Sequence, residues 1–116
     1  MKKEQRQLEL LLNLLEEREQ IEENIAALPV GYISVKQISG HTYYYRQWRE
    51  GNKIISQYVP EEFLNATRRK IAARKEQESL LRAVKADIKK VMRKVSKERP
   101  LSKEEVEKML EEERAK

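Results

Sequence analysis

Gly31-Tyr32-Ile33-Ser34-Val35-Lys36-Gln37-Ile38, then Ser39-Gly40, then His41-Thr42-Tyr43-Tyr44-Tyr45-Arg46-Gln47-Trp48-Arg49-Glu50, then Gly51-Asn52, then Lys53-Ile54-Ile55-Ser56-Gln57-Tyr58-Val59: this run decides the fold. Three segments rich in β-branched and aromatic residues are separated by two glycine-containing pairs, the sequence form of two tight hairpins. All three glycines, all five tyrosines and the single tryptophan fall inside the run, and Phe63 is the lone phenylalanine outside it.

The two turns imply a register. With Ser39-Gly40 as the first turn, Ile38 opposes His41, Lys36 opposes Tyr43 and Val35 opposes Tyr44. With Gly51-Asn52 as the second, Glu50 opposes Lys53, Trp48 opposes Ile55 and Tyr45 opposes Tyr58. Side chains alternate along a strand and opposite residues share a face, so both turns give one division. One face carries Ile33, Val35, Tyr44, Arg46, Trp48, Ile55, Gln57 and Val59; the other carries Tyr32, Ser34, Lys36, Tyr43, Tyr45, Gln47, Arg49, Ile54, Ser56 and Tyr58. A small isolated sheet is marginal in water, so the first face is expected to be buried on a helix.

Outward from the sheet the chain turns helical. Residues 3–28 lack Gly and Pro, and Leu11, Leu14, Ile21, Ile25 and Leu28 follow a 3–4 spacing that Arg18 interrupts, with Leu8, Leu12 and Leu15 widening the stripe. That pattern predicts an amphipathic helix ended by Pro29. On the other side, Leu64, Thr67, Ile71, Leu81, Val84, Ile88, Val91 and Val95 form a second ladder, polar at Arg74 and Glu78. Pro60, Glu61 and Glu62 suit a helix start. Pro100 ends that helix, and Ser102 with Glu105 makes a capping box for a short third one with Val106, Met109 and Leu110 as its apolar face. Residues 111–116 are expected to fray. The expected class is α+β in a single domain, 1–116: helix 1–28, three-stranded antiparallel meander 30–59, long basic helix 61–97 and short acidic helix 102–114. The long helices are expected to pair as a coiled-coil-like hairpin, with a homodimer through 61–97 as the competing arrangement.

Charged residues make up 39% of the 116 residues, which suits long solvated helices better than a thick core. The net charge of +5 is uneven. Residues 1–28 hold four basic and seven acidic groups, 29–60 four and one, 61–99 thirteen and six, and 100–116 four and six. Positive charge concentrated in the sheet and the helix after it suits a polyanion, most simply nucleic acid. The plainer reading is a solvated helix face that meets the acidic first helix.

Several chemistries have no residues to carry them. There is no cysteine, one histidine (His41), and one aspartate (Asp87), so neither a disulfide nor a zinc set can be assembled. Ser39 lies near His41 without an orienting acid, and Gly31, Gly40 and Gly51 are too far apart for a phosphate loop. A non-enzyme without cofactor or metal is expected. Met1-Lys2-Lys3-Glu4-Gln5-Arg6 lacks the apolar stretch of a signal peptide, and no run reaches the ~20 residues of a membrane span, so a cytoplasmic protein with no membrane contact is expected.

Gly31-Tyr32-Ile33-Ser34, Tyr43-Tyr44-Tyr45, Gln47-Trp48-Arg49-Glu50-Gly51 and Lys53–Tyr58 resemble a small uncharacterised prokaryotic and phage domain over about residues 28–75. Similar segments occur in transposase-like and nuclease-associated proteins, which implies a mobile-element or defence setting. More loosely, the layout is similar to the three-stranded arm-binding domain of tyrosine integrases, which implies a sheet placed on DNA. This chain departs from that pattern in its long flanking helices and carries no catalytic domain.

These readings converge on a nucleic-acid-binding accessory protein, with DNA as the expected partner. Tyr43, Tyr45 and Tyr58 are the candidates for stacking, and Lys36, Arg46, Arg49 and Lys53 for phosphate contact. Arg68, Arg69, Lys70, Arg74 and Lys75 would extend the basic track. The same tyrosines would equally suit a protein partner such as a nuclease or other defence-related protein, which the chain would bind or inhibit, because Tyr, Trp and Arg dominate interface hot spots.

Overall fold

Both hairpins form in the expected register. In a computed structural model that describes residues 3–116, β1 (Tyr32–Ile38), β2 (His41–Glu50) and β3 (Lys53–Val59) make one antiparallel sheet in the order β1-β2-β3. Ile38 pairs with His41, Lys36 with Tyr43, Trp48 with Ile55 and Tyr45 with Tyr58. At the first turn Ser39 and Gly40 both have positive φ, 51° and 80°, as a type I′ turn requires; at the second only Gly51 does, at 59°, which matches type II′. Gly31 has a different task. Its φ is 115°, and a Cβ there would lie 2.1 Å from the backbone oxygen of Gln47, so the start of β1 closes on β2 only without a side chain.

The helices are α1 (Lys3–Ala26), α2 (Leu64–Val95) and α3 (Lys103–Arg114), with a 3-10 turn at Glu61–Phe63 before α2. Residues 1 and 2, part of the expected first helix, lie outside the described residues. The second helix starts three residues later than expected because Pro60 opens the 3-10 turn, in which the Phe63 amide donates to the Pro60 carbonyl. It ends where Ser96 folds back, its hydroxyl donating to the Arg99 carbonyl at 2.6 Å. α3 carries the expected capping box: the Glu105 amide donates to Ser102 Oγ and the Ser102 amide to Glu105 Oε1. Helical structure continues to Arg114, past the point where fraying was expected. Arg114 pairs with Glu9 and Lys116 with Glu113.

The chain divides into two compact units. One contains the chain up to Glu23 together with Glu78–Lys116; the other is Asn24–Gln77. In the first unit α1 and α2 pack antiparallel and α3 lies on α1. Leu8, Leu11, Leu15, Val106 and Leu110 are its fully buried side chains, joined by Ile21, Val84, Ile88 and Val91. Arg18 stands half-buried in the α1 seam and pairs with Glu22.

In the second unit the end of α1 runs beside the start of α2. α1 has no basic residue in its last turn and stops short of Pro29, leaving its last carbonyls short of donors, although the Leu28 amide already donates to the Ile25 carbonyl at 3.1 Å. Arg74 of α2 supplies them, its Nη1 donating to the carbonyls of Ile25 at 2.9 Å and Leu28 at 2.8 Å. Asn24 Nδ2 adds a bond to Gln77 Oε1 at 3.1 Å. The polar break in the α2 ladder thus caps another helix.

The expectation that one sheet face is buried holds only in part. Val59 is buried, but Ile33, Tyr44, Trp48 and Ile55 are half-buried and Val35 is 52% exposed. The reason is the short connection from β3 to α2, which brings the helix start to the Val59 end and leaves β1 uncovered. Cationic side chains cover part of the remainder with their stems. The Arg46 guanidinium lies 3.9 Å over the Trp48 ring, and that of Arg68 is 6.0 Å from the Tyr44 ring.

Candidate nucleic-acid interface

The tyrosines gather on the opposite face of the sheet because the turn-set register puts Tyr43, Tyr45 and Tyr58 on one side of two adjacent strands. Tyr45 and Tyr58 meet edge to face at 5.9 Å, and Tyr43 and Tyr58 are tilted at 6.5 Å, both within the favourable range for aromatic pairs. His41 extends the row, 6.4 Å from Tyr43. Lys36 Nζ sits 4.9 Å from the centre of the Tyr45 ring, which holds its charge over the cluster. Gln47 Nε2 donates to Ser56 Oγ at 2.8 Å and ties β2 to β3 across the same face. Arg49 stands at the far end, opposite Ile54. The pairing puts Glu50, the one carboxylate in the three strands, on the other face, where its Oε1 accepts from Trp48 Nε1 at 2.9 Å. The tyrosine face is therefore cationic, aromatic and without a carboxylate. It is also open to solvent: Tyr32, Ile38, Ile54 and Tyr58 are each more than half exposed.

The sheet, with the helix before it and the first turns of the helix after it, coincides with a known sequence family. The chain belongs to the family described as Domain of unknown function (DUF6788), which matches residues 3–70. No curated protein and no solved structure matches the chain. The DUF6788 region holds the whole tyrosine face and most of the basic residues singled out from sequence; Arg74 and Lys75 fall beyond it.

The structure gathers five of those candidates, Lys36, Tyr43, Tyr45, Arg49 and Tyr58, on the tyrosine face. It places Arg46 and Lys53 on the Trp48 face. Arg46 is engaged there three times, over Trp48, with Nη1 donating to the Val30 carbonyl at 2.6 Å and Nη2 to Gln57 Oε1 at 3.1 Å. Lys53 lies opposite Glu50. Lys70 borders a hollow of about 530 Å³ lined also by Arg46, Tyr58, Phe63 and Thr67. Arg68, Arg69 and Lys75 are exposed on α2, and Arg74 caps α1. Tyr32, Ile38 and Ile54 complete the tyrosine face, and the strand alternation was the signal for them. Among the described residues no group of three or more His, Asp or Glu could hold a metal ion, and no helix is long and apolar enough to cross a membrane.

Proposed function

We propose that this chain binds nucleic acid without catalysis, as an accessory DNA-binding protein of a phage or mobile element, through the tyrosine face of its sheet. The carrying observation is the Tyr43–Tyr58–Tyr45 cluster with Tyr58 exposed, Lys36 over Tyr45, Arg49 farther along the same face and no carboxylate on that side. Tyrosine rings offer planes on which bases or sugars stack, worth ~1–3 kcal/mol per base, and the cations hold phosphates. Arg46 and Arg74 drop out of the contact set, because their guanidinium groups already serve backbone carbonyls.

The experiment is fluorescence anisotropy of labelled single-stranded and duplex oligonucleotides at about 50 mM salt, where phosphate contacts are strongest. Tyr45→Ala and Tyr58→Ala should each weaken binding by about tenfold, the lower end of a stacking contribution, and Lys36→Gln with Arg49→Gln should flatten the salt dependence. Absence of binding to either form defeats the proposal.

A protein partner is the second reading, favoured by the exposure of Tyr32, Ile38, Ile54 and Tyr58 together on one face. A partner captured by the native chain and lost with Ile54→Asp, together with absent oligonucleotide binding, selects it.

A further inference from the structure

The first unit has its own basic groove, independent of the sheet. Lys85, Lys89 and Arg93 recur at every fourth residue along α2, and Lys97 continues the spacing just past its end. They line a groove of about 480 Å³ with Arg18, above a floor of Leu15, Ile88, Met92 and Leu101. Its far wall is the connection to α3, where Arg99 is held by Glu105 and Met92 Sδ accepts from the Leu101 amide at 3.3 Å. Glu98 is the single carboxylate in the lining. Arg18 and Arg99 have carboxylate partners, whereas Lys85, Lys89, Arg93 and Lys97 make no ion pair among the described residues.

We propose that this groove docks an acidic amphipathic helix of a partner protein, one or two apolar side chains entering between the cations and carboxylates meeting Lys85, Lys89 and Arg93. Three features select this occupant. The cation repeat of four residues is about 6 Å along α2, the same as the repeat of carboxylates at every fourth position of an opposing helix. The floor is aliphatic and thioether, with no aromatic ring on which a base could stack, and methionine adapts to apolar side chains of varied shape. The groove is open along one side, which suits a helix laid in it better than a small molecule that must be largely enclosed.

The test uses a fluorescein-labelled helical peptide of about 16 residues, roughly four turns, with Leu on one face and Glu flanking it. A second peptide of equal charge replaces each Leu by Ser. The Leu peptide should bind at about 50 mM salt, and the Ser peptide should bind at least about tenfold more weakly, through loss of apolar burial. Lys89→Glu with Arg93→Glu should weaken the Leu peptide by tenfold or more through charge reversal at the rim, while Lys90→Glu leaves it unchanged. A poly-dT oligonucleotide should not displace it. Equal binding of both peptides, displacement by poly-dT, insensitivity to the double variant, or no binding at all each overturns the proposal. So does light scattering that shows a dimer of this chain dissolved by the same double variant, since a second copy would then fill the groove.

Discussion

Replacing Arg74 by methionine separates two roles that this residue could have. The structure gives it a helix-capping role: one nitrogen donates to the carbonyls of Ile25 and Leu28 at 2.9 and 2.8 Å, at the end of a helix with no cation of its own in the last turn. A hydrogen bond from a charged donor contributes ~1.5–3 kcal/mol. Both bonds leave one nitrogen at a half-exposed site where water can replace part of them, so the pair is worth about 2–3 kcal/mol, including the cation's attraction to the negative helix end. For a chain of this size that corresponds to a fall in melting temperature of about 10 °C, taking roughly 4 °C per kcal/mol. Arg74→Lys keeps the charge but loses the planar fork, and should recover about half of the loss. The assay is urea unfolding followed by circular dichroism, with the midpoint falling at unchanged slope. Oligonucleotide affinity of the folded variant should match the native chain. Unchanged stability with tenfold weaker binding would refute the reasoning, because Arg74 would then face the ligand and not the α1 carbonyls.

Three further outcomes are expected. Gly31→Ala should destabilise by at least about 3 kcal/mol, adding backbone strain at positive φ to a collision with the Gln47 carbonyl, and amide exchange at Tyr32 and Gln47 should show the loss first. Ser39→Asn should raise stability by up to about 1 kcal/mol, because asparagine accepts the left-handed conformation of a type I′ turn more readily, and equilibrium unfolding measures it. The Glu105 carboxyl is held down to about 2 by its hydrogen bond from Arg99 first and by the Ser102 amide next. A lowered carboxylate pKa stabilises the folded state above the ordinary value of 4.5 and loses that effect as pH falls toward 2. Helicity should therefore decline across that window, and Glu105→Gln should remove the Glu105 part of the decline.

The sheet was readable in sequence because its information is local. Ser39-Gly40 and Gly51-Asn52 set the turn types, and strand alternation then divided most of the strand side chains between Tyr32 and Val59 into two faces. The Ser102–Glu105 capping box was local in the same way. Arg74 was not readable, since its acceptors lie 46 and 49 residues earlier in the chain. A cation on a helix looks the same in sequence whether it meets phosphate, water or another helix's carbonyls. Arg46 shows the same limit: its parity put it with Trp48, but only the fold shows the guanidinium stacked on that ring and bonded to Val30. The exposure of Val35 depended on where the short β3–α2 connection delivers the helix, a geometric matter that hydrophobic pattern does not encode. The four-residue repeat from Lys85 to Lys97 was visible in the sequence, and its meaning came only with the apolar floor beside it.

Trp48 offers a use beyond its packing. As the lone indole, pressed under the Arg46 guanidinium and hydrogen-bonded to Glu50, it is an optical probe located entirely in the second unit. Far-ultraviolet dichroism instead weighs the helices, most of whose residues belong to the first unit. Melting curves from the two signals superimpose if the units unfold in one transition and separate if the sheet melts independently. Since Trp48 points away from the tyrosine face, ligand-induced changes on that face can be followed by tyrosine-selective spectroscopy while the indole reports whether the sheet beneath stays intact.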